Sequence, residues 1–198
     1  MMFAIHARYR GRERRRADFV RQSARALSTL PDVSEFDVVG VEDIRAIIYT
    51  PEAMCDTTMA LLAAGDWAVG LAVLVDDGLP DKAIATEQVL NLARTTLGAH
   101  ARSGQVKVGV KRGSRKDPAW SADIQAAFTM LAHILSKRTA EGREATSLVR
   151  SGMNQNEAAA ELGISKQAMS QRLQAAGWQA EMAGYRLAIS LLNRVGTS

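Results

Sequence analysis

Apolar and polar positions alternate over residues 3–9, with Phe3, Ile5, Ala7 and Tyr9 on one side and Ala4, His6 and Arg8 on the other. That period of two predicts a strand. Over 12–30 the spacing changes. Ala17, Val20, Ala24, Leu27 and Leu30 recur at intervals of three and four, the stripe of an amphipathic helix that stops before Pro31. Residues 36–41 and 44–49 are rich in β-branched side chains and are separated by Glu42 and Asp43, which reads as a hairpin. A helix over 51–64 follows, with Thr50 as its cap, Pro51 in its first position and Gly65 as its stop. The run WAVGLAVLV at 67–75 is almost continuously apolar and predicts a buried strand. Residues 80–101 have a helical pattern through Ala83, Ile84, Val89, Leu90, Ala93 and Leu97. Residues 105–111 alternate through Val106, Val108 and Val110, as an edge strand with its lysines outside would.

The order β-α-β-β-α-β-α-β predicts an α+β sandwich: one antiparallel or mixed sheet with helices on one face. The segment 112–118 is polar, contains glycine and proline, and breaks the pattern. Everything after it reads as helical. The stretch 120–137 carries Ala126, Ala127, Met130, Leu131, Ile134 and Leu135 as an apolar stripe, and 141–150 forms a second helix. The tail, 178–195, repeats Trp178, Met182, Tyr185, Ile189 and Leu192, which fits either packing back on the core or pairing with a second subunit. The halves differ in class. Residues 1–113 are therefore expected to form an α+β unit for sensing, dimerisation or scaffolding, and 114–198 an all-α unit.

Within the second half, the stretch QNEAAAELGISKQAMSQRL at 155–173 has helix-turn-helix spacing. Ala158 and Ala159 stand where two helices cross closely, and Leu162 and Ile164 fill the turn. Gly163 falls where the turn needs a positive φ, which a side chain would penalise. Ser165 is a good cap for the second helix, whose Met169 and Leu173, four apart, face inward. That leaves Ser165, Lys166, Gln167, Ser170, Gln171 and Gln174 outward on a helix over 165–176. Glutamine can pair in bidentate fashion with adenine in a major groove, and lysine reaches guanine. Arg172 points to the flank and suits a phosphate. The charges within 155–174 are Glu157, Glu161, Lys166 and Arg172, which cancel. Phosphate contacts are therefore expected from Lys137, Arg138, Arg143 and Arg150, and from the arginine-rich segment at 8–25.

On these features the layout resembles the SatD family of bacterial proteins. The resemblance rests on the element order and the WAVGLAVLV strand in residues 1–112, and on the helix-turn-helix motif in the second half. It implies a ferredoxin- and cyclase-like α+β sandwich, reminiscent of nucleotidyl cyclase and GGDEF-type folds, followed by an all-α DNA-binding domain. In the cyclase-like relatives the first strand carries an acid-bearing motif and the hairpin another. Here strand one has no carboxylate, and the hairpin keeps only Glu42 and Asp43, which read as a polar turn. Two-metal phosphoryl chemistry needs carboxylates from both places.

Composition narrows the picture further. One cysteine in 198 residues, Cys55, excludes an intramolecular disulfide framework, and there is no Cys-x-x-Cys for zinc. No stretch approaches the ~20 apolar residues of a membrane span, and no signal peptide is evident, so a cytoplasmic protein is expected. The net charge of +4 is unevenly spread. Eight arginines lie in 8–25, seven acids against Arg45 alone in 32–56, and five basic residues with no acid in 107–116. His6, His100 and His133 are scattered, Cys55 is expected to be inert, and no phosphate-loop spacing occurs. No catalytic, metal or cofactor residue is assigned. The expectation is a transcriptional regulator that binds double-stranded DNA as a homodimer, with a small-molecule effector that no residue pattern names. A protein-interaction module, or a nucleotide-binding or nucleotidyl-transfer enzyme in the first unit, are the alternatives.

Overall fold

The computed structural model describes residues 1–75 and 81–197. Among them are six strands in the order β2-β3-β1-β4-β5-β6 and eight helices. β1 (Met2–Tyr9) lies between β3 (Asp43–Ile48) and β4 (Trp67–Val75), antiparallel to both. β2 (Asp37–Val39) pairs antiparallel with β3 at one edge. This β2-β3-β1-β4 block has the ferredoxin-like order. β5 (Val106–Arg112) extends it parallel to β4, and β6 (Arg115–Lys116) closes a short hairpin on β5. The sheet is therefore mixed.

The helices cover both faces, which corrects the expectation of one. Helices α1 (Arg16–Leu27) and α2 (Pro51–Ala64) pack on the face that carries Phe3, Ile5 and Ala7. α3 (Lys82–Leu97) packs on the other, against Ala4, Ala72 and Leu74. The physical reason lies in β4, whose nine residues are all buried. A half-covered strand alternates, whereas a strand covered on both faces reads as a continuous apolar run. α3 also sits unusually close: a Cβ on Gly70 would meet the Ala93 carbonyl oxygen at 2.5 Å and Leu97 Cβ at 2.8 Å.

Local signals place the ends of several elements. The Thr50 hydroxyl accepts the Ala53 N–H at 3.2 Å, with Pro51 opening α2 and Gly65 closing it. α3 is capped by Asp81, and Pro80, where the sequence pattern starts that helix, lies outside the described residues. β2 is shorter than expected, because the chain already turns at 40–42.

Beyond β6 come α4 (Pro118–Ser136), α5 (Ala140–Arg150), α6 (Gln155–Glu161), α7 (Lys166–Ala175) and α8 (Trp178–Arg194). They divide in two. α4 contributes Ile124, Ala127, Phe128, Leu131 and Leu135 to the sheet core, and α8 adds Ala188 and Leu192. The tail helix thus packs back on the molecule's own core. The remaining helices enclose a separate core of Ala145, Ala158, Ala159, Met169 and Leu173, with Trp178 against it. The boundary expected at 113/114 falls in the turn between β5 and β6, upstream of two helices that share the sheet core. α4 also covers the open edge of β5: Gln125 Oε1 accepts the Val108 N–H at 3.2 Å, and Ser121 Oγ accepts that of Val110 at 3.0 Å. None of the described helices is long and apolar enough to cross a membrane.

Candidate nucleic-acid interface

The α6–turn–α7 unit is built by local chemistry. The Asn154 side chain accepts the N–H groups of Asn156 and Glu157 at 2.9 and 3.1 Å, while Glu157 Oε2 accepts the Asn154 N–H at 2.8 Å. This reciprocal capping box fixes the start of α6. Its signal in the sequence is the Asn-x-x-Glu spacing, which the helix-turn-helix pattern over 155–173 does not include. The chain then turns through Gly163, whose φ is +62°. Ser165 restarts it as a helix, its Oγ accepting the Ala168 N–H at 3.1 Å. Met169 is fully buried and Leu173 is 4% exposed.

The residues singled out for base contact fall together on the opposite side. Ser165, Lys166, Gln167, Ser170, Gln171 and Gln174 are all exposed. Arg172 is half-buried at the flank, where its charge reaches Glu141. That carboxyl is held low first by its own backbone N–H and the Thr139 hydroxyl, and only then by Arg172.

Two of the arginines expected to reach phosphates are bound inward instead. Arg138 is buried, with Nε donating to the Ala176 carbonyl at 2.9 Å and Nη2 to Glu181 Oε2. Arg150 donates to the other Glu181 oxygen and lies over the Trp178 ring at 5.6 Å. Glu181 on α8, itself 2% exposed, thus holds Arg150 of α5 directly and the end of α7 through Arg138. A buried carboxylate persists when its charge is paired and its lone pairs are used. Lys137 and Arg143 remain exposed.

The arginine-rich segment is also partly committed. Arg8 grips Asp43, its register partner on β3, through two bonds of 2.6 and 2.7 Å, and donates to the Gly98 and Ala99 carbonyls. Arg10 donates to the carbonyls of Ala99 and Ala101, so both arginines bind the loop that follows α3. Arg16 and Arg10 hold Glu42. Arg12, Arg14, Arg15, Arg21 and Arg25 stay exposed. Glu42 lies in the hairpin turn as expected, but Asp43 opens β3 and accepts from His6 Nε2 at 3.1 Å as well. Cys55 is fully buried, and burial, with Asp56 and Glu52 nearby, pushes its thiol up, away from the reactive thiolate.

Burial raises the Asp43 carboxyl, but the hydrogen bonds from Arg8 and His6 outweigh it and hold it well below the usual carboxylate range. Its stabilising contribution is thus complete above the unfolded value of about 3.9 and is lost as pH falls toward the folded one, because only the unfolded chain takes up the proton. Acid titration of stability should fall from about pH 5 downward in the natural chain. Asp43→Asn should be less stable at neutral pH and show a shallower fall, readable by denaturant midpoints at a series of pH values.

Taken together, the fold and site define a mixed α+β chain that carries a separate helical core with one polar, exposed helix. No protein-family model and no curated protein matches the chain. Among solved structures, a regulator of polyketide synthase expression from Bifidobacterium adolescentis is similar over 99% of this chain and 80% of that chain, at 14% identity and a TM-score of 0.28. A superposition this loose carries no argument about fold or activity.

Proposed function

We propose that the chain is a cytoplasmic transcriptional regulator that binds double-stranded DNA in a sequence-specific manner. In this reading α6–turn–α7 is a helix-turn-helix, and α7 enters the major groove. The observation that supports it is the division of α7: Met169 and Leu173 are sealed inside while Lys166, Gln167, Ser170, Gln171 and Gln174 share the open side. Gln167 and Gln171 are one turn apart and offer amides to adjacent base edges, with Ser165 at the helix start and Arg172 on a flanking phosphate. A homodimer would read two half-sites about 34–36 Å apart, and light scattering should give twice the chain mass.

The test is selection of bound genomic fragments by the purified chain, followed by a salt titration on the enriched site. Gln167→Ala with Gln171→Ala should weaken specific binding by about 1–3 kcal/mol for each base edge no longer read. Unchanged affinity for the enriched site overturns the reading, as does uniform binding that vanishes by about 200 mM salt.

A protein-interaction role has one observation in its favour. With Arg138 and Arg150 turned to Glu181, the surface from the end of α4 through α7 presents Lys137, Arg143, Lys166 and Arg172 against Glu141, Glu144, Glu157 and Glu161. A balanced face attracts DNA weakly. Capture of a protein that survives nuclease treatment and is lost with the α7 substitutions would favour it. Nucleotidyl transfer in the sheet unit finds less support, since Arg8 stands opposite Asp43 and Arg8 and His6 engage both its oxygens.

A further inference from the structure

The β5–β6 hairpin sets like charge against like. Lys111 pairs in register with Lys116, and Arg112 with Arg115. Like charges directly opposite on neighbouring strands repel and destabilise the pairing. Arg112 is partly committed, since it donates to the Val195 carbonyl at 3.0 Å. The lysine pair is different. Lys111 and Lys116 line a groove of about 830 Å³ between α3, β5 and the start of α4, and Arg94 of α3 lines the same groove. Among the described residues no carboxylate ion-pairs with any of the three, and none lines the groove. Gln88 and Asn91 add side-chain amides, the Asn91 oxygen already accepting from Arg94 at 3.2 Å, and the floor is Gly109, since Val108 and Val110 turn their side chains to the sheet core on the other face. The acid of α3 nearest in sequence, Glu87, turns instead to Arg45.

We propose that this groove binds a small oligophosphate, an anion of two or more linked phosphates, between Arg94, Lys111 and Lys116. Its volume is that of a small-ligand site, and a side-chain-free Gly109 beside Leu92 and polar amides leaves room for a ligand with an organic body. An anion lodged between the two lysines would turn the repulsion across the hairpin into attraction. The groove does not extend the surface of α7. It lies along the first turns of α4, Pro118 to Gln125, and the rest of that helix, to Ser136, sets it about 16 Å along the axis from the helices beyond the other end. The inference is therefore independent of the regulatory reading.

Calorimetric titration of the full chain at about 50 mM salt, where screening is weak, tests it with three probes: ATP, inorganic tripolyphosphate and a single-stranded oligothymidylate. One ATP or one tripolyphosphate per chain is expected. Equal affinities would mean that the phosphate chain alone is read, and tighter ATP binding that the base is read too. Lys111→Gln with Lys116→Gln should lose at least about tenfold in affinity, the scale of one charge-assisted hydrogen bond. Lys116→Glu should abolish binding while raising the thermal midpoint of the unliganded chain, because it replaces a repelling pair with an attracting one. That opposite response separates a failure to bind from a failure to fold. The proposal is overturned if neither small anion binds at millimolar concentration. Full affinity in the lysine variants, or saturation by the oligonucleotide alone, overturns it equally.

Discussion

Replacement of Glu181 by glutamine is expected to destabilise the chain by about 3–5 kcal/mol, because it leaves buried positive charge without a counter-charge. For a domain of this size that lowers the thermal midpoint by about 6–20 °C. Arg138 is the group left stranded, since its side chain is 3% exposed. Arg150, at 48%, can turn to water, so Arg150→Ala should cost only about 1 kcal/mol or less. The decisive comparison is the triple variant Arg138→Met, Arg150→Met, Glu181→Leu. A buried ion cluster exchanged whole for apolar groups is commonly neutral or stabilising. The triple should therefore recover most of what the single variant loses, as read by urea midpoints. A single variant as stable as the natural chain would mean that the cluster is hydrated in solution. The same single variant should weaken DNA binding in the proposed function, since Arg138 also holds the Ala176 carbonyl at the end of α7.

Phe128→Ala is expected to cost about 3–5 kcal/mol, from reduced burial and from the cavity left behind. Phe128 is fully buried on α4, yet its neighbours include the strands of the sheet core. The loss should appear in probes of the sheet, such as the fluorescence of Trp67, as well as in helical circular dichroism, and the two transitions should coincide. By the same reasoning a fragment ending at residue 113 should not fold cooperatively. It would lack Ile124, Phe128 and Leu131 from the core, and the side chains of Ser121 and Gln125 from the edge of β5. Cooperative unfolding of that fragment would show that the sheet closes its core without α4.

What is legible in the sequence is whatever local chemistry decides. The period of two in β1, the Thr50–Pro51 start and Gly65 stop of α2, and the Gly163–Ser165 turn each depend on a few adjacent residues. The alternation of α7 between Met169 or Leu173 and its polar side is of the same kind. The uninterrupted run of β4 also carries the evidence for helices on both faces, although the element order alone suggests one. The long-range ion pairs are not legible. Arg8 and Asp43 are 35 residues apart, and Arg138 and Glu181 are 43 apart. No periodicity links such positions, because only the folded topology makes them neighbours. Arg138 therefore reads as a surface cation when its charge is spent inside, and half-exposed Arg150 is engaged by the same buried carboxylate. Two-residue β6 is too short to produce a pattern, yet its register with β5 is what sets Lys116 against Lys111.

The path of the chain around the second core has a mechanical consequence. The chain leaves the sheet core along α4 and returns to it along α8, and these two helices pack against each other. The three helices between them are thus hung from two adjacent anchor points rather than from one flexible strand of chain. A body held by a single thread can swivel in every direction, whereas one held at two neighbouring points can only rock about the line that joins them. The exposed side of α7 accordingly swings in one direction only relative to the sheet, and in the proposed function a homodimer would tolerate only a narrow range of spacings between its two half-sites.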